Sequence, residues 1–475
     1  MTGMTGVTGR ATVRPHELVE RALELSGADE TAVIVQENSS VNLRWAGNAL
    51  TTNGTTRGRQ VTVVASVDGA TGTAAGVVSR SGVAPGELAE LVAAAERAAR
   101  AAGPVEDAQP LVGPGASGGE FEAPPQTTSP SVLDGFAEGL GEAFRAARDG
   151  GRELFGFASH TVASTYLGTS AGARLRYDRP EGTAELNAKS PDRLRSAWAN
   201  RATDDFRDVD VLAMDGELAR RLAWAQRSVA LPAGRYETVL PPVAVADLLI
   251  YLHWMADVRD AAEGRTVFSA PGGGTRVGER LTRLPVRLYS DPAEPGLEVE
   301  PFVVAHSTGG AVGSGQSVFD NGAPLERAEW ISDGTLRALP GSRYAAGVTG
   351  VPSALRPDNL ILDAGSSATT EELIAGTERG LLLTCLWYIR EVDPQNLLMT
   401  GLTRDGVYLV ENGEITGAVN NFRFNESPLA VLGRATEAGR TERCLSREWG
   451  DWFGRSSMPA LRVPEFHMSS VSPGV

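Results

Sequence analysis

The sequence predicts an α+β protein, with an N-terminal α/β region followed by a β-rich C-terminal domain of large antiparallel sheets. Three observations carry this expectation. Segments with helical apolar spacing all start before residue 258, whereas residues 266–463 read mostly as short strands separated by turns. Turn-forming residues are abundant, with 55 Gly and 27 Pro. Within the C-terminal half, Asp333-Gly334 and Asn412-Gly413 each sit between alternating apolar residues, a strong local hairpin signal.

The elements follow in order. Residues 1–13 are rich in Thr and Gly, hold no apolar run, and are expected to be disordered rather than a signal peptide. His16–Ser26 has helical spacing and stops at Gly27. Thr31–Gln36 and Val41–Trp45 alternate as two strands, and Gln60–Val67 leads through Asp68-Gly69 into a hairpin ending near Val78. Gly86–Ala102 reads as a helix, which closes an α/β unit over residues 14–102. Residues 103–131 are dense in Pro, Gly and Ser and read as a linker or mobile loop. A central region, 132–234, holds a helix at Ser131–Ala147, a strand pair at Phe155–Asp178 and a helix at Glu217–Val229; it reads equally as a separate lobe or a continuation of the first. The C-terminal domain, 235–471, opens with a strand at Tyr236–Leu240 and a helix from Pro241-Pro242 to about Asp257.

Composition excludes some functions. A net charge of −15 lacks the basic face that phosphate backbones require, which argues against a nucleic-acid partner. The apolar runs Leu248–Met255 and Gly380–Ile389 are too short to cross a bilayer. Two cysteines, Cys385 and Cys444, do not make a disulfide framework, so a reducing cytoplasm is the expected setting. The glycine-rich stretches Pro271–Gly274 and Gly309–Gly315 lack the Lys-Ser or Lys-Thr of a phosphate-binding loop, and no GxSxG elbow appears.

Several long segments carry a resemblance. Leu381–Ser427, Arg44–Gly54 (RWAGNALTTNG), Tyr236–Leu249 (YETVLPPVAVADLL), Glu263–Ser269 (EGRTVFS), and the C-terminal LSREWGDWF and MPALRV are similar to the TldD/PmbA family, and specifically to its TldE-like subunits of the actinobacterial type. The resemblance runs from about Arg14 to Val471. It implies a heterodimeric peptidase in which a TldD-like subunit carries zinc or another divalent metal and the second subunit carries none. It also implies a cleft for unfolded or short peptides, including leader peptides or conjugates in natural-product biosynthesis.

Catalytic members of that family place His-Glu-x-x-x-His on one helix and add a cysteine from near the C-terminus. Here His253 takes the first histidine's place, Trp254 the glutamate's and Val258 the second histidine's. A hydrolytic zinc needs about three protein ligands and a group to accept a proton from water. Trp254 and Val258 offer neither, so no catalytic residue and no metal ligand is assigned to this chain. His253 reads as a partly buried histidine at a subunit contact, and Cys385 and Cys444 as buried thiols. Asp257 lies four residues after His253 and shares its helical face if the helix persists. His160, His306 and His467 have no ligand spacing to one another. Polar groups of the signature segments, Arg44, Asn48 and Thr52, and Trp387 and Arg390 beyond them, are candidates for lining a shared substrate cleft. Two alternatives stay open: a stand-alone amide hydrolase built from His253, Asp257 and Cys444, and a peptide-binding scaffold with no hydrolytic role.

Overall fold

The computed structural model describes residues 13–306 and 316–472. The stretch Gly309–Gly315 and residues 1–12 of the N-terminal expectation lie outside them. The structure is mixed, with an N-terminal α/β region and a β-rich C-terminal part, as the sequence predicts.

The N-terminal lobe is one antiparallel sheet of β1 (Glu30–Ala46), β2 (Ala49–Gly69), β3 (Gly72–Ser81), β4 (Glu153–Thr169), β5 (Arg174–Lys189) and β6 (Ser196–Thr203), in the order β3-β2-β1-β4-β5-β6. The strands of residues 153–203 therefore extend the sheet begun by residues 30–81. The two short strands expected around residue 38 are one long strand. Polar residues between them take cross-strand partners: Glu37 pairs with Arg59, and the Ser40 hydroxyl meets Thr161 at 2.9 Å. Gly47 and Asn48, both at positive φ, make the tight β1–β2 turn.

Odd-numbered residues of β1 face a layer of helices. Helices α1 (Pro15–Leu25) and α2 (Leu88–Ala101) cover Val33 and Val35 at one end. Helices α3 (Asp134–Asp149) and α4 (Val211–Trp224) cover Val41, Leu43 and Trp45 at the other. Even-numbered Ala32 and Ile34 face the opposite way and pack against Phe302, Val303 and Phe319 of the C-terminal lobe. Residues 103–129 hold no helix or strand but are tied to the sheet, with Tyr166 donating to the Ala123 carbonyl at 2.6 Å and Arg176 to that of Pro124 at 2.9 Å.

In the C-terminal lobe, Ser456–Val471 is the hub of a 14-stranded sheet among the described residues. It pairs with Gly234–Leu240, Phe422–Glu426 and Glu437–Cys444 antiparallel, and with Leu360–Asp363 parallel. The Asn412-Gly413 and Asp333-Gly334 turns close hairpins as expected. Helix α5 (Pro242–Trp254) lies in the main core of this lobe; it is apolar around most of its circumference, the composition of a helix buried on all sides. Charged residues join the lobes. Arg455, 2% exposed, donates to Asp204 at 2.6 Å, Arg443 donates to Asp204 at 2.9 Å, and Arg179 reaches Glu300 and Asp358. The Arg447 guanidinium sits between the rings of Trp198 and Trp387, at 4.5 and 4.8 Å from their centres.

Candidate functional site

Helix α5, whose end carries the positions that the resemblance matches to a metal motif, lies in the main core of the C-terminal lobe. Helix α5 ends at Trp254, three residues sooner than the sequence suggests. A separate short helix, α6 (Val258–Ala262), begins after Asp257. The cause is local: the Asp257 carboxylate accepts the N–H groups of Arg259 and Asp260 at 2.9 and 3.0 Å, making it the cap of the second helix in an extended backbone conformation. The expected helical face shared by His253 and Asp257 does not exist, and no hydrogen bond joins them.

His253 is 2% exposed, so it is neither partly buried nor at a surface contact. Its ring lies against Trp330 and Phe453, at centroid distances of 5.4 and 6.5 Å, and its Nε2 has no hydrogen-bond partner. Burial, with the nearby Arg356 guanidinium, holds its pKa well below the ordinary histidine range. Trp254 packs among Tyr251, Trp449 and Phe453, and Val258 is fully buried. A metal requires lone pairs converging on one point. Among the described residues no group of three or more His, Cys, Asp or Glu side chains could hold an ion. At the three positions His253, Trp254 and Val258, the only donor is an imidazole enclosed by aromatic rings. The donor set here does not fit zinc.

The cysteines are equally enclosed. Cys444 is buried, its Sγ lies 3.6 Å from the Ser456 hydroxyl, and burial pushes its pKa up to about 12. Cys385 donates to the Arg404 carbonyl at 3.0 Å, and its pKa is raised chiefly by burial. A thiol that stays protonated is neither a good ligand nor a nucleophile. The expected result is that neither thiol of the native protein reacts with a disulfide reagent at pH 8, while both react after denaturation. Rapid labelling of native Cys444 would contradict the burial.

One group on α5 was not singled out from the sequence: Asp247. It is completely buried, and its carboxylate gathers three donors from elsewhere in the lobe. The Ser446 hydroxyl donates at 2.6 Å, the Glu448 N–H at 2.9 Å and the Leu386 N–H at 3.4 Å. Burial raises its pKa to about 7 against the opposing pull of these bonds. Its backbone carbonyl also accepts the Trp449 indole N–H at 2.8 Å. Glu448 continues the network, accepting the N–H groups of Tyr388 and Ile389 at 2.9 and 3.2 Å and the Arg390 guanidinium at 2.9 Å. The strand Leu386–Asp393 is irregular there, with Tyr388 at a φ of +50° and a register shift between Trp387 and Arg390. The signal in the sequence was a lone carboxylate inside an apolar helix, which must find buried partners or lose its charge.

The cleft candidates divide into two sets. Arg390 belongs to this network through Glu448, and Trp387 lies beside it, its ring against the Arg447 guanidinium. Arg44, Asn48 and Thr52 lie at the β1–β2 corner of the other lobe. Asn48 is committed to that turn, donating to the Arg152 carbonyl and accepting the Leu154 N–H, each at 2.7 Å. Arg44 lies over the Phe157 ring and Thr52 is exposed. Among the described residues no hydrogen bond, ion pair or ring contact joins the two sets. His160 is satisfied by Thr128 and the Asp204 carbonyl, and the His467 backbone N–H is bound by Glu426.

The family model described as the PmbA/TldA metallopeptidase C-terminal domain matches residues 233–470, half of the chain. The model of PmbA/TldA metallopeptidase domain 1 matches residues 31–102. The chain belongs to the TldD/PmbA family. Its fold is that of solved members and relatives. TldE from Thermococcus kodakarensis superimposes with a TM-score of 0.76 at 17% identity, covering 95% of this chain and 98% of that one. A Thermotoga maritima protein described as a candidate modulator of a DNA gyrase gives 0.74 at 17% identity, covering 95% and 99%. A Bacteroides thetaiotaomicron protein with a similar description gives 0.72 at 14% identity, covering 96% and 98%. No curated protein matches the chain. Among the described residues of this TldD/PmbA member, no helix is long and apolar enough to cross a membrane.

Proposed function

We propose that this chain is the non-catalytic, TldE-like subunit of a two-chain TldD/TldE-type metallopeptidase that cleaves unfolded or short peptides in the cytoplasm. One observation carries the reading. The segment that the resemblance aligns with the family's metal helix holds, at its three functional positions, an aromatic-enclosed histidine, a tryptophan and a valine, and its helix breaks off between the second and the third. A scaffold that cannot polarise water can still shape a chamber, exclude solvent and hold substrate for a subunit that does. The metal, zinc or another divalent ion, then belongs to a TldD-like partner. Leader peptides and conjugated intermediates of natural-product biosynthesis are the substrate classes this reading favours.

The test is co-expression with a TldD-like chain. The expected result is a stable one-to-one complex holding about one metal ion per pair, with cleavage of a disordered peptide that neither chain matches alone. A complex that fails to form, or cleavage by the partner that is indifferent to this chain, overturns the proposal. Purified protein that binds an ion and digests peptides without a partner does so too.

A further inference from the structure

The outer edge of β2 is open along half its length. Strand β3 pairs with β2 only from Gln60 to Gly69, while β1 pairs with it from Ala49 to Ser66. Residues Ala49–Gly58 are all exposed, and their outward N–H and C=O groups face no strand among the described residues. Natural sheets usually blunt such an edge with Lys, acidic residues, Pro or a bulge. This one reads ALTTNGTTRG, with no Lys, Asp, Glu or Pro; its one charge is Arg57, and its register with β1 is irregular only at its start, where Thr51 is skipped between the Arg44–Thr52 and Trp45–Leu50 pairs, so the stretch from Thr52 to Gly58 is regular.

The ground beside the edge is shaped as well. On the helix-layer face, Asn53, Thr55 and Arg57 are the cross-strand neighbours of Leu43, Val41 and Ser39. Next to Asn53 and Thr55 lies a hollow of 400 Å³ between the strand and the start of α3, walled by Val41, Leu43, Leu50, Leu133 and Ala137. Leu50 is 56% exposed there. Next to Arg57 lies a second hollow of 510 Å³, bounded by the start of α1 and by the segments at Gly82-Val83 and Pro125–Thr127. Its charged residues are Arg14, Arg57, Arg59 and Glu37, of which Glu37 is paired with Arg59. Arg57 has no ion-pair partner among the described residues. In a chain of net charge −15, this is a local positive site. A strand laid along β2 would point alternate side chains into these two hollows in turn, at a rise of about 3.3 Å per residue.

We infer that the open edge of β2 from Ala49 to Gly58 binds an extended peptide by strand addition, with apolar side chains in the hollow by Leu50 and an acidic side chain at Arg57. The backbone supplies affinity without regard to sequence, and the two hollows supply selectivity. A second copy of this chain is a poorer occupant, because its own β2 edge has no carboxylate to offer Arg57. The inference rests on the peptidase reading for its choice of a peptide, and it deepens that reading by naming the substrate class: extended peptides with an acidic residue flanking apolar ones.

The experiment is fluorescence anisotropy on the purified chain with a labelled Glu-Ser-Leu-Ser-Leu-Ser-Glu peptide, whose ends allow either strand direction. The Lys-ended analogue and a backbone N-methylated analogue serve as controls. Binding is expected to favour the Glu-ended probe and to vanish on N-methylation. Arg57→Glu should weaken the acidic probe about fivefold and reverse the preference, and Leu50→Lys should weaken both by about tenfold. Both positions are exposed, and unchanged thermal unfolding of the variants shows that the fold is intact. Equal affinity of wild type and variants, or indifference to N-methylation, overturns the inference. So does an edge that ignores peptide and instead alters the mass of the free chain or of its complex when mutated. If the wild-type complex cleaves peptides and both variants match it on acidic substrates, this inference fails and the peptidase reading stands. If no complex or cleavage is found, that reading fails, and direct binding still judges the edge.

Discussion

Asp247→Ala is expected to destabilise the C-terminal lobe by about 3 kcal/mol and to loosen the segment that follows Cys444. The substitution leaves the Ser446 hydroxyl and the Glu448 N–H without this acceptor in a dry core, and removes a third, longer bond from Leu386. Each buried donor orphaned this way costs about 1–3 kcal/mol. Relief from burying a carboxylate offsets part of the loss. Urea unfolding measures the total, and hydrogen exchange over residues 445–454 locates it. An exchange pattern unchanged in that segment would show that Asp247 does not hold it. Asp247→Asn isolates the charge. The folded pKa is raised from 3.8 to about 7, so between those values the native state holds a proton that the unfolded state has released. The stability this group contributes is therefore fully present below about pH 4 and is lost as pH rises through about 7. Wild type minus Asp247→Asn should decline over that window by up to about 1.4 kcal/mol per pH unit, because other titrating groups cancel in the difference. A flat difference would place the folded pKa near that of an ordinary aspartate.

Much of the fold was legible because its signals are local. The Asn412-Gly413 hairpin, the apolar α5 and the α1 and α2 spacings each depend on a few adjacent residues. The misses have a common origin in polar residues that act at a distance or as caps. Helix α4 runs from Val211 to Trp224, earlier than the expected Glu217–Val229, because the Asp210 carboxylate accepts the Ala213 N–H at 2.9 Å and starts it there. Asp257 does the same for α6 and ends the helix on which His253 and Asp257 were to share a face. The polar middle of β1, from Glu37 to Ser40, reads as a gap in the sequence, but its partners on β2 and β4 lie far along the chain. At the site, the motif positions were visible as letters. Their surroundings were not: only the fold shows His253 walled in by Trp330 and Phe453, or Asp247 tied to a loop some 200 residues away.

Those surroundings set the outcome of a motif graft. Trp254→Glu with Val258→His rebuilds His-Glu-x-x-x-His in letters, and it is expected to bind no stoichiometric zinc and to lose about 4 kcal/mol or more of stability. The first substitution removes a tryptophan packed against Tyr251, Trp449 and Phe453, a loss of about 3–5 kcal/mol for a well-packed core aromatic, and less where the side chain is partly exposed. The second places an imidazole where Val258 is completely buried and where a Cβ on Gly341 would already lie 2.4 Å from the valine Cγ1, so there is no room for a larger ring. Geometry then denies the ion its ligands. In a continuous helix the two histidines and the glutamate hold fixed relative directions, but here α5 has ended at Trp254 and residues 255–257 turn into the cap of α6. The separation of His253 from position 258 is thus set by a turn that Asp257 holds in place. Metal analysis and calorimetric unfolding check both parts. A folded double variant carrying one tightly bound zinc per chain would mean that the two replaced side chains alone, rather than the interrupted helix, keep this chain from holding the ion.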